Sequence, residues 1–303
     1  MRALFALLLL PAPALAWSKP GHMVTGALAY QLLSASDPAA AAKAVELLKQ
    51  TPQYAKDWQP THDKLAAAER GEYLFMMAAR WADDIRGDAR FDRPTWHYLG
   101  LAYKPPGQPD WLTEPLPAAV NAVTAFEQNR QRVRTAPDAD EKAVALCWLF
   151  HLTGDIHQPL HAGGLVTRDW PNGDRGGNSA KVRANAGGTP FNLHYYWDGL
   201  ITNTDDARQC RNLATALRLR PEFARDKLPE LATTASFDDW ARKESWPLAR
   251  EVVYRGGTLP VGTSDATAPV LPADYAAQAK AVAERRAVVA SYRLAEVVKD
   301  AVR

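Results

Sequence analysis

The sequence contains little cysteine and almost no net charge. Its 303 residues include only two cysteines, Cys147 and Cys210, and 36 basic side chains nearly balance 34 acidic ones, for a formal net charge of +2. Purely structural zinc sites are usually cages rich in cysteine, so the sequence disfavours that class of site. The two cysteines are equally compatible with one disulfide and with two buried thiols. The small net charge gives no general attraction for nucleic acid or membranes, and an anionic substrate must be attracted locally.

Long apolar runs are also lacking. The hydrophobic stretch near the N-terminus, residues 3–10, is too short to span a bilayer. It follows a basic start and precedes Ala14 and Ala16, small residues at the spacing that a signal peptidase needs. We therefore predict a signal peptide over residues 1–16, cleavage before Trp17, and export to the periplasm or the extracellular space without a membrane anchor.

No linker, low-complexity tract or internal repeat divides the remaining chain, which predicts a single domain over residues 17–303. Apolar residues recur three and four positions apart and no strand-rich region is visible, which predicts an all-α fold. Glycines interrupt the pattern, and we expect a loop with at most a small β-hairpin at 163–192, and another irregular loop at 105–117. The predicted helices cover residues 21–33, 38–50, 65–86, 117–134, 138–157, 193–201, 205–219, 237–254 and 272–302, the last being long enough to be kinked or split.

Histidine is scarce, with seven in the chain, and its placement is concentrated. His151 and Asp155 are four residues apart, so a helix places both on one face. Pro159 prevents that helix from continuing normally, and the turn that follows can bring His161 back to the same region. The segment is therefore a candidate metal site.

A second pair with the same spacing comes later. His194 and Asp198 are also four apart in a short helical pattern, and imidazole with carboxylate at this spacing suits zinc. One such pair alone is more often an ordinary hydrogen-bonded pair, but two pairs together with His161 indicate a metal site. Two further candidates are Asp83, at the end of an otherwise apolar helix, and His97, after the loop that follows.

The residue after the predicted cleavage site supplies another kind of ligand. A free α-amine has a pKa of about 8, so the amino group of Trp17 can deprotonate and chelate a metal together with its own carbonyl oxygen. His22 follows in the first turn of the next predicted helix. This chelate exists only after cleavage.

Other side chains in these segments have simpler interpretations. His62 lies in a polar stretch and is interpreted as solvated. His157 points away from Asp155 on a helix, which favours a structural or supporting role over ligation. Cys147 lies in an apolar setting that is typical of core packing. The tryptophans near candidate ligands are interpreted as apolar walls of the site: Trp81, Trp96 and Trp197.

Taken together, these residues resemble the S1/P1 nuclease family of single-strand-specific, zinc-dependent nucleases, within the phospholipase C/P1 nuclease superfamily. The resemblance covers essentially the whole of residues 17–303. Its most specific part is His151-x₃-Asp155-Ile-His-Gln-Pro-Leu-His161. The other matching segments are Trp17 with Gly21-His22, Trp81-Ala-Asp83, His97-Tyr98, Gly176-Gly177-Asn178, Asn192-Leu-His194, Trp197-Asp198 and Phe237-Asp-Asp-Trp240.

The resemblance implies that the chain binds three zinc ions through nine residues. Every ligand position of the family pattern is filled with the expected residue type. The implied ligands are Asp83, His97 and His151 for one zinc ion, the amine and carbonyl of Trp17 with His22 for a second, Asp155 as a bridge between these two, and His161, His194 and Asp198 for the third.

The resemblance also implies the reaction. A hydroxide bridging the paired zinc ions would attack phosphorus, the third zinc ion would stabilise the leaving 3′ oxygen, and the product would carry a 5′-phosphate. Asp83 would orient the hydroxide, and Arg86 would contact the phosphate. Three zinc ions and three aspartates give the pocket a charge of about +3, which attracts a phosphodiester without a basic surface.

The implied substrate is single-stranded DNA or RNA. Tyr98 takes the place of a family aromatic residue on which an unpaired base stacks. Gly100 stands where the fungal members place an aspartate that hydrogen-bonds the base, which leaves base preference open. We expect a monomer with no stable protein partner.

Two other functions are alternatives. The related bacterial zinc phospholipase C shares the terminal tryptophan and the three zinc ions. However, it separates its tryptophan from the next histidine by more residues than Trp17 is separated from His22, and it has glutamate where Asp198 stands. A non-catalytic zinc-binding protein is the other alternative, and the clustered histidine and aspartate ligands argue against it.

Overall fold

The computed structural model describes residues 17–303, and the predicted signal peptide at 1–16 lies outside the described residues. Over the described residues the fold is mostly helical, which confirms the all-α prediction. The α-helices are α1 (Lys19–Ser36), α2 (Pro38–Leu48), α3 (Gln59–His62), α4 (Ala67–Asp84), α5 (Ala122–Thr135), α6 (Ala139–Asp155), α7 (Pro159–Ala162), α8 (Leu193–Asp198), α9 (Ala207–Arg218), α10 (Phe237–Asp239), α11 (Trp246–Leu248) and α12 (Tyr275–Ala301).

Tighter and wider helical turns connect these helices. The wider π-helical turns are Tyr54–Trp58, Trp240–Ser245 and Ala249–Val253, and the last two join α10 and α11 into one helical segment. The 3₁₀ turns are Pro94–His97, Pro221–Phe223, Arg225–Lys227, Pro229–Leu231 and Arg255–Gly257.

The predicted helices are all present, with shifted ends. The helix predicted at 117–134 begins only at Ala122, because the Asn121 side chain accepts hydrogen bonds from the backbone N–H groups of Val123 and Thr124 and so caps the helix there. The long last helix runs from Tyr275 to Ala301 as one element rather than two.

Two small sheets accompany the helices. Strands β3 (Lys181–Val182) and β4 (Phe191–Asn192) form an antiparallel pair within the predicted hairpin region. Strands β1 (Leu101–Tyr103) and β2 (Gly163–Leu165) form a parallel pair that was not predicted, because neither has an alternating pattern. The pairing needs glycine: a Cβ at Gly163 would lie 2.2 Å from the carbonyl oxygen of Leu101.

The core is built where α1, α4, α6 and α12 pack together. α1 and α4 approach closely at Gly26, where a Cβ would lie 2.4 Å from the backbone oxygen of Phe75. The Phe75 and Phe150 rings join α4 to α6 with their centroids 4.9 Å apart. This packing brings the start of α1 beside the ends of α4 and α6, where candidate ligands lie. No helix among the described residues is long and apolar enough to cross a membrane.

The structure decides between the interpretations of three side chains. Cys147 and Cys210 are free and buried, and burial raises the pKa of each thiol to about 12. The interpretation of His62 as solvated is wrong, because its side chain is buried. The Tyr54 ring covers the His62 ring edge-on, with the ring centroids 5.7 Å apart. Nδ1 of His62 lies 3.0 Å from Oδ1 of Asp63.

Candidate metal centre

The last turn of α6 carries the first two candidate ligands. His151 and Asp155 lie on one face, with Nε2 of His151 3.2 Å from Oδ2 of Asp155. The 3₁₀ turn Pro94–His97 brings His97 to the same point, where its Nδ1 lies 3.1 Å from Oδ2 of Asp155 and 3.0 Å from Nε2 of His151. The three side chains are buried and were predicted to converge.

The other oxygen of Asp155 faces a different residue. Its Oδ1 lies 3.1 Å from Nε2 of His22, near the start of α1. Asp83, at the end of α4, places its Oδ1 3.9 Å from Nε2 of His151. Asp155 therefore stands between His22 on one side and His97 with His151 on the other, which is the position that a bridging carboxylate needs. We call His22, Asp83, His97, His151 and Asp155 the first cluster.

A second cluster consists of His161, His194 and Asp198. The Nε2 atoms of His161 and His194 are 3.1 Å apart, and Nε2 of His194 is 3.6 Å from Oδ2 of Asp198. Gln158 donates a hydrogen bond to Oδ1 of Asp198 over 2.8 Å. The two clusters adjoin, since Nδ1 of His161 is 3.9 Å from Oδ2 of Asp155.

Backbone carbonyl groups orient three of the imidazole rings. Nδ1 of His151 lies 2.9 Å from the oxygen of Ala79, and Nδ1 of His161 lies 2.5 Å from the oxygen of His97. His194 has the same arrangement, with the oxygen of Gly176 at 2.6 Å. A carbonyl oxygen only accepts, so each Nδ1 carries the proton and each Nε2 turns a lone pair to its cluster. Metal-binding histidines are held in this way.

Several buried polar atoms in the clusters have no hydrogen-bond partner among residues 17–303. They include Oδ2 of Asp83, Oδ2 of Asp198 and Nε2 of His97. Leaving such atoms buried and unpaired is costly. A cation would compensate, and three groups each offer ligand atoms within 4.8 Å of one another: His22 with Asp83 and His151, His97 with His151 and Asp155, and His161 with His194 and Asp198.

The carboxylates differ in their electrostatic surroundings. Burial acts to raise the pKa of Asp155, but its interactions with the neighbouring His151 and His161 imidazoles outweigh it and hold the pKa well below its ordinary value. The pKa of Asp83 is lowered in the same way, by His151 and Arg86 against burial. Burial raises the pKa of Asp198 well above its ordinary value, and repulsion from the other two carboxylates adds to it. A cation at the second cluster would hold Asp198 ionised.

Arg86 contacts the first cluster directly. Its Nε donates to Oδ1 of Asp83 over 2.9 Å, and its Nη2 lies 2.8 Å from the same oxygen. The guanidinium is thus fixed beside the predicted ligands.

A cavity of about 230 Å³ opens beside the second cluster. Tyr98 and Gly100 line it together with His161 and His194, and the Tyr98 side chain is 38% exposed. The segment that carries Tyr98 is tied to His161 on both sides, since Leu99 donates its N–H to the His161 oxygen over 2.8 Å and the His161 ring donates to the His97 oxygen.

Trp17 lies next to the second cluster. Its side chain is fully buried, and the N–H of Ser18 donates to the backbone oxygen of Asp198 over 2.9 Å. The described chain thus begins beside the ligands. Ligation by a Trp17 amine stays a prediction.

Two contacts of the site were missed from the sequence. Gln158, within the most specific segment, holds Asp198, and the signal was its position between Asp155 and His161. Trp148 forms a wall of the site, with its ring centroid 5.5 Å from that of His97, and the sequence signal was its place one helical turn before His151.

The predicted wall residues lie in the same region. Trp96 packs against Trp148 with the ring centroids 4.8 Å apart, and the Trp81 ring lies 5.9 Å from that of Trp148. Trp197 is fully buried beside Asp198.

Comparison with known proteins agrees with this chemistry. The sequence model of the family described as S1/P1 Nuclease matches residues 17–303. The chain is 26% identical over 238 residues to Nuclease S1 of Aspergillus oryzae, across 72% of this chain and 75% of that protein. It is 49% identical over 57 residues to Endonuclease 4 of Arabidopsis thaliana and 43% identical over 60 residues to Endonuclease 5 of the same plant. These two alignments cover 19% and 20% of this chain but only 16% and 17% of the plant proteins.

Proposed function

Because this chain belongs to the S1/P1 nuclease family, whose members depend on zinc, we propose that it hydrolyses phosphodiester bonds of single-stranded DNA and RNA and releases products with a 5′-phosphate. The observation that carries this proposal is the position of the second cluster. It borders the Tyr98 cavity and adjoins the first cluster through the 3.9 Å approach of His161 to Asp155. A nucleotide in the cavity would have its phosphate beside both clusters.

Three zinc ions would be held by the two clusters and the terminus. Buried carboxylates, Nε2 lone pairs and unpaired polar atoms support this assignment. The proposed ligands are Asp83, His97 and His151 for the first ion, the Trp17 amine and carbonyl with His22 for the second, Asp155 between these two, and His161, His194 and Asp198 for the third.

The protein's own groups would position the substrate and the attacking water. Bound zinc supplies Lewis acid stabilisation of phosphate oxygens and makes water acidic enough to attack near neutral pH. Oδ2 of Asp83, the carboxylate oxygen that faces away from Arg86, orients the attacking water by accepting a hydrogen bond. Arg86 directs its remaining N–H groups to the phosphate, where a guanidinium forms strong charge-assisted hydrogen bonds.

Tyr98 would explain the preference for single strands. Its half-exposed ring presents a face to the cavity, and a base stacks on such a face whatever its identity. A base in a duplex is already stacked and paired, so it reaches the cavity only after leaving the helix.

We extend the proposal to where the enzyme acts. Residues 1–16 direct export as a signal peptide, and their cleavage before Trp17 releases the amine that completes the second zinc site. The mature enzyme acts as a monomer outside the cytoplasm.

The test uses mature protein that begins at Trp17. It should degrade single-stranded DNA and RNA faster than duplex DNA, lose activity on chelation and regain it with Zn²⁺. Products should be substrates for a 5′-phosphate-dependent exonuclease. Cleavage of phosphatidylcholine without cleavage of nucleic acid would overturn the proposal in favour of the phospholipase.

Two adjacent aspartates provide the matched variants. Asp83→Asn removes a buried carboxylate of the first cluster and should abolish activity, whereas Asp84→Asn removes an ion pair with Lys19 and Arg80 outside it and should leave activity near that of the wild type. Equal activity of the two variants would contradict the role of Asp83.

A further inference from the structure

Beneath the turn between α6 and α7 lies a buried group of charges that the proposed mechanism does not use. Two arginines lie seven residues apart on one face of α12, Arg286 and Arg293. They are only 1% and 3% exposed. Both pair with Glu244, which lies in the π-helical turn Trp240–Ser245. Burying two arginines against one carboxylate is costly unless their remaining N–H groups are also satisfied.

The pairing with Glu244 is close. Arg293 donates from Nη2 to Oε1 over 2.6 Å and from Nη1 to Oε2 over 2.8 Å. Arg286 donates from Nη1 to Oε2 over 2.6 Å. The guanidinium of Arg293 also covers the Trp240 ring, 4.7 Å from its centroid. These contacts fix both arginines in single positions.

Nη2 of Arg293 also donates to the backbone oxygen of Glu230 over 2.8 Å, and the other donors of the two arginines reach the turn between α6 and α7. Nη1 of Arg293 lies 2.8 Å from Nε2 of His157, and Nε of Arg286 donates to the His157 oxygen over 3.4 Å. Arg286 also donates to Oγ of Ser245 over 2.9 Å, and that hydroxyl donates to the oxygen of Ile156. Two consecutive residues of the turn are therefore held from below by α12.

These contacts define the state of the His157 ring. Arginine has only donors, so Nε2 of His157 accepts. Nδ1 then carries the proton and donates to the Thr153 oxygen, 2.7 Å away in the last turn of α6. The neutral ring thus connects Arg293 to the helix end that carries Asp155.

The turn carries ligands of both clusters. Asp155 precedes His157 by two residues, and His161 follows it by four. Gln158, the next residue, holds Asp198 and accepts from the N–H of Leu160 over 2.6 Å. A shift of this turn would therefore move the first and second clusters relative to each other.

We propose that Arg293 is a positioning residue for the metal centre, which acts through His157 to hold Asp155 and His161 at the spacing that zinc requires. The inference rests on the proposed function, because it presumes zinc at the two clusters. If Arg293 had a purely structural role, its contacts would contribute to the stability of the fold and would have no selective effect on zinc affinity.

The test compares two amides at position 157. In His157→Asn the side-chain amide lies near the position of the imidazole Nδ1, so its N–H can still donate to the Thr153 oxygen. The Asn side chain is too short to reach Arg293. Gln places an oxygen near the position of Nε2 and restores the acceptor for Arg293. Zinc affinity by chelator competition should fall about 10- to 100-fold in His157→Asn and should stay close to wild type in His157→Gln.

Three measurements complete the design. Elemental analysis counts zinc per chain, the visible spectrum of the Co²⁺-substituted protein reports ligand geometry, and thermal unfolding of the metal-free protein reports stability. Lys299→Gln, which removes an α12 ion pair with Asp37 away from the turn, is the control and should bind zinc like the wild type. If His157→Asn does not fold, Arg293→Lys tests the same link, because one ammonium cannot contact both Glu244 and His157 as the guanidinium does.

The outcomes separate the two proposals. A wild-type protein that binds no zinc would overturn the proposed function itself. A wild type with three zinc ions, together with wild-type zinc affinity and Co²⁺ spectrum in His157→Asn or Arg293→Lys, would overturn the positioning role alone. A loss of zinc affinity in His157→Gln equal to that in His157→Asn would also overturn it.

Discussion

The Nε2 atoms of His161 and His194 face each other 3.1 Å apart, while each Nδ1 contacts a backbone carbonyl oxygen. Both Nδ1 atoms therefore carry protons in the neutral rings, and two lone pairs point at each other. A cation bound between the rings would turn this repulsion into coordination, which makes the second cluster the most direct indication of metal in the structure.

Replacing one of these rings should remove one zinc ion. In His194→Ala we expect the zinc content to fall from three ions to two per chain, with a loss of activity of about 10²-fold or more, because the developing charge on the leaving oxygen loses its stabilisation. Elemental analysis and a single-stranded DNA assay measure the two effects. His62→Gln, at a buried histidine outside the clusters, is the control and should keep three ions; three ions in His194→Ala would contradict the assignment.

The second prediction concerns the N-terminus. One extra residue before Trp17 should displace the amine, and we expect loss of one zinc ion and most of the activity. The same residue added after Arg303 should have no effect, since the amine is untouched. Zinc content and activity of the two extended proteins are measured side by side, and equal activity would show that the amine is dispensable.

The residue types that converge at the two clusters were predictable from the sequence, but the hydrogen bonds that connect the clusters were not. The four-residue spacing of His151 and Asp155 predicted that they share a helix face, because helix geometry depends only on neighbouring residues. The bond from the His161 ring to the His97 oxygen joins residues 64 positions apart, and no local pattern indicates it. The burial of His62 was missed for the same reason: the Tyr54 ring that covers it lies in a π-helical turn without a sequence signature.

The third prediction tests base preference at Gly100. A Cβ there would meet no atom nearer than 3.6 Å, although φ is +78°. Gly100→Asp should therefore fold at a cost of about 1 kcal/mol and present a carboxylate to the base. Because a carboxylate accepts hydrogen bonds, we expect higher kcat/KM for bases with an exposed amino group, by about 10-fold.

The matched control for that variant is Gly107→Asp. Gly107 has a φ of +82° and open space around it, and it does not line the cavity. It should reproduce the stability loss without changing base preference, as measured with single-stranded homopolymers. The same base profile for both variants would exclude Gly100 from base contact.

The fourth prediction concerns the stability of the metal-free protein against pH. Burial raises the pKa of Asp174 to about 6, although backbone N–H groups and the Tyr254 hydroxyl favour its ionised form. An unfolded aspartate has a pKa of about 3.9. Because the folded pKa is the higher one, the contribution of Asp174 to stability is complete below about pH 4 and is lost as pH rises through about 6.

Urea unfolding of the metal-free protein measures this effect. The free energy of unfolding of the wild type, relative to Asp174→Asn, should fall by about 2 kcal/mol between pH 4 and pH 6.5 and change little above that. Asp169→Asn, at an exposed aspartate in the same loop, should follow the wild-type curve. A difference between wild type and Asp174→Asn that does not change with pH would exclude the raised pKa.

The two hydrogen bonds that tie the segment of Tyr98 to His161, continued by the pairing of β1 with β2, connect the proposed stacking ring to a proposed zinc ligand through the backbone. The separation between a stacked base and the bond to be cut is therefore fixed by the backbone. If a base stacks on Tyr98 as proposed, the site accepts one length of nucleotide and does not adjust to a longer one. A nucleotide with a lengthened sugar–phosphate link would stack as well as a natural one and yet present the wrong atom for cleavage, so it would act as an inhibitor.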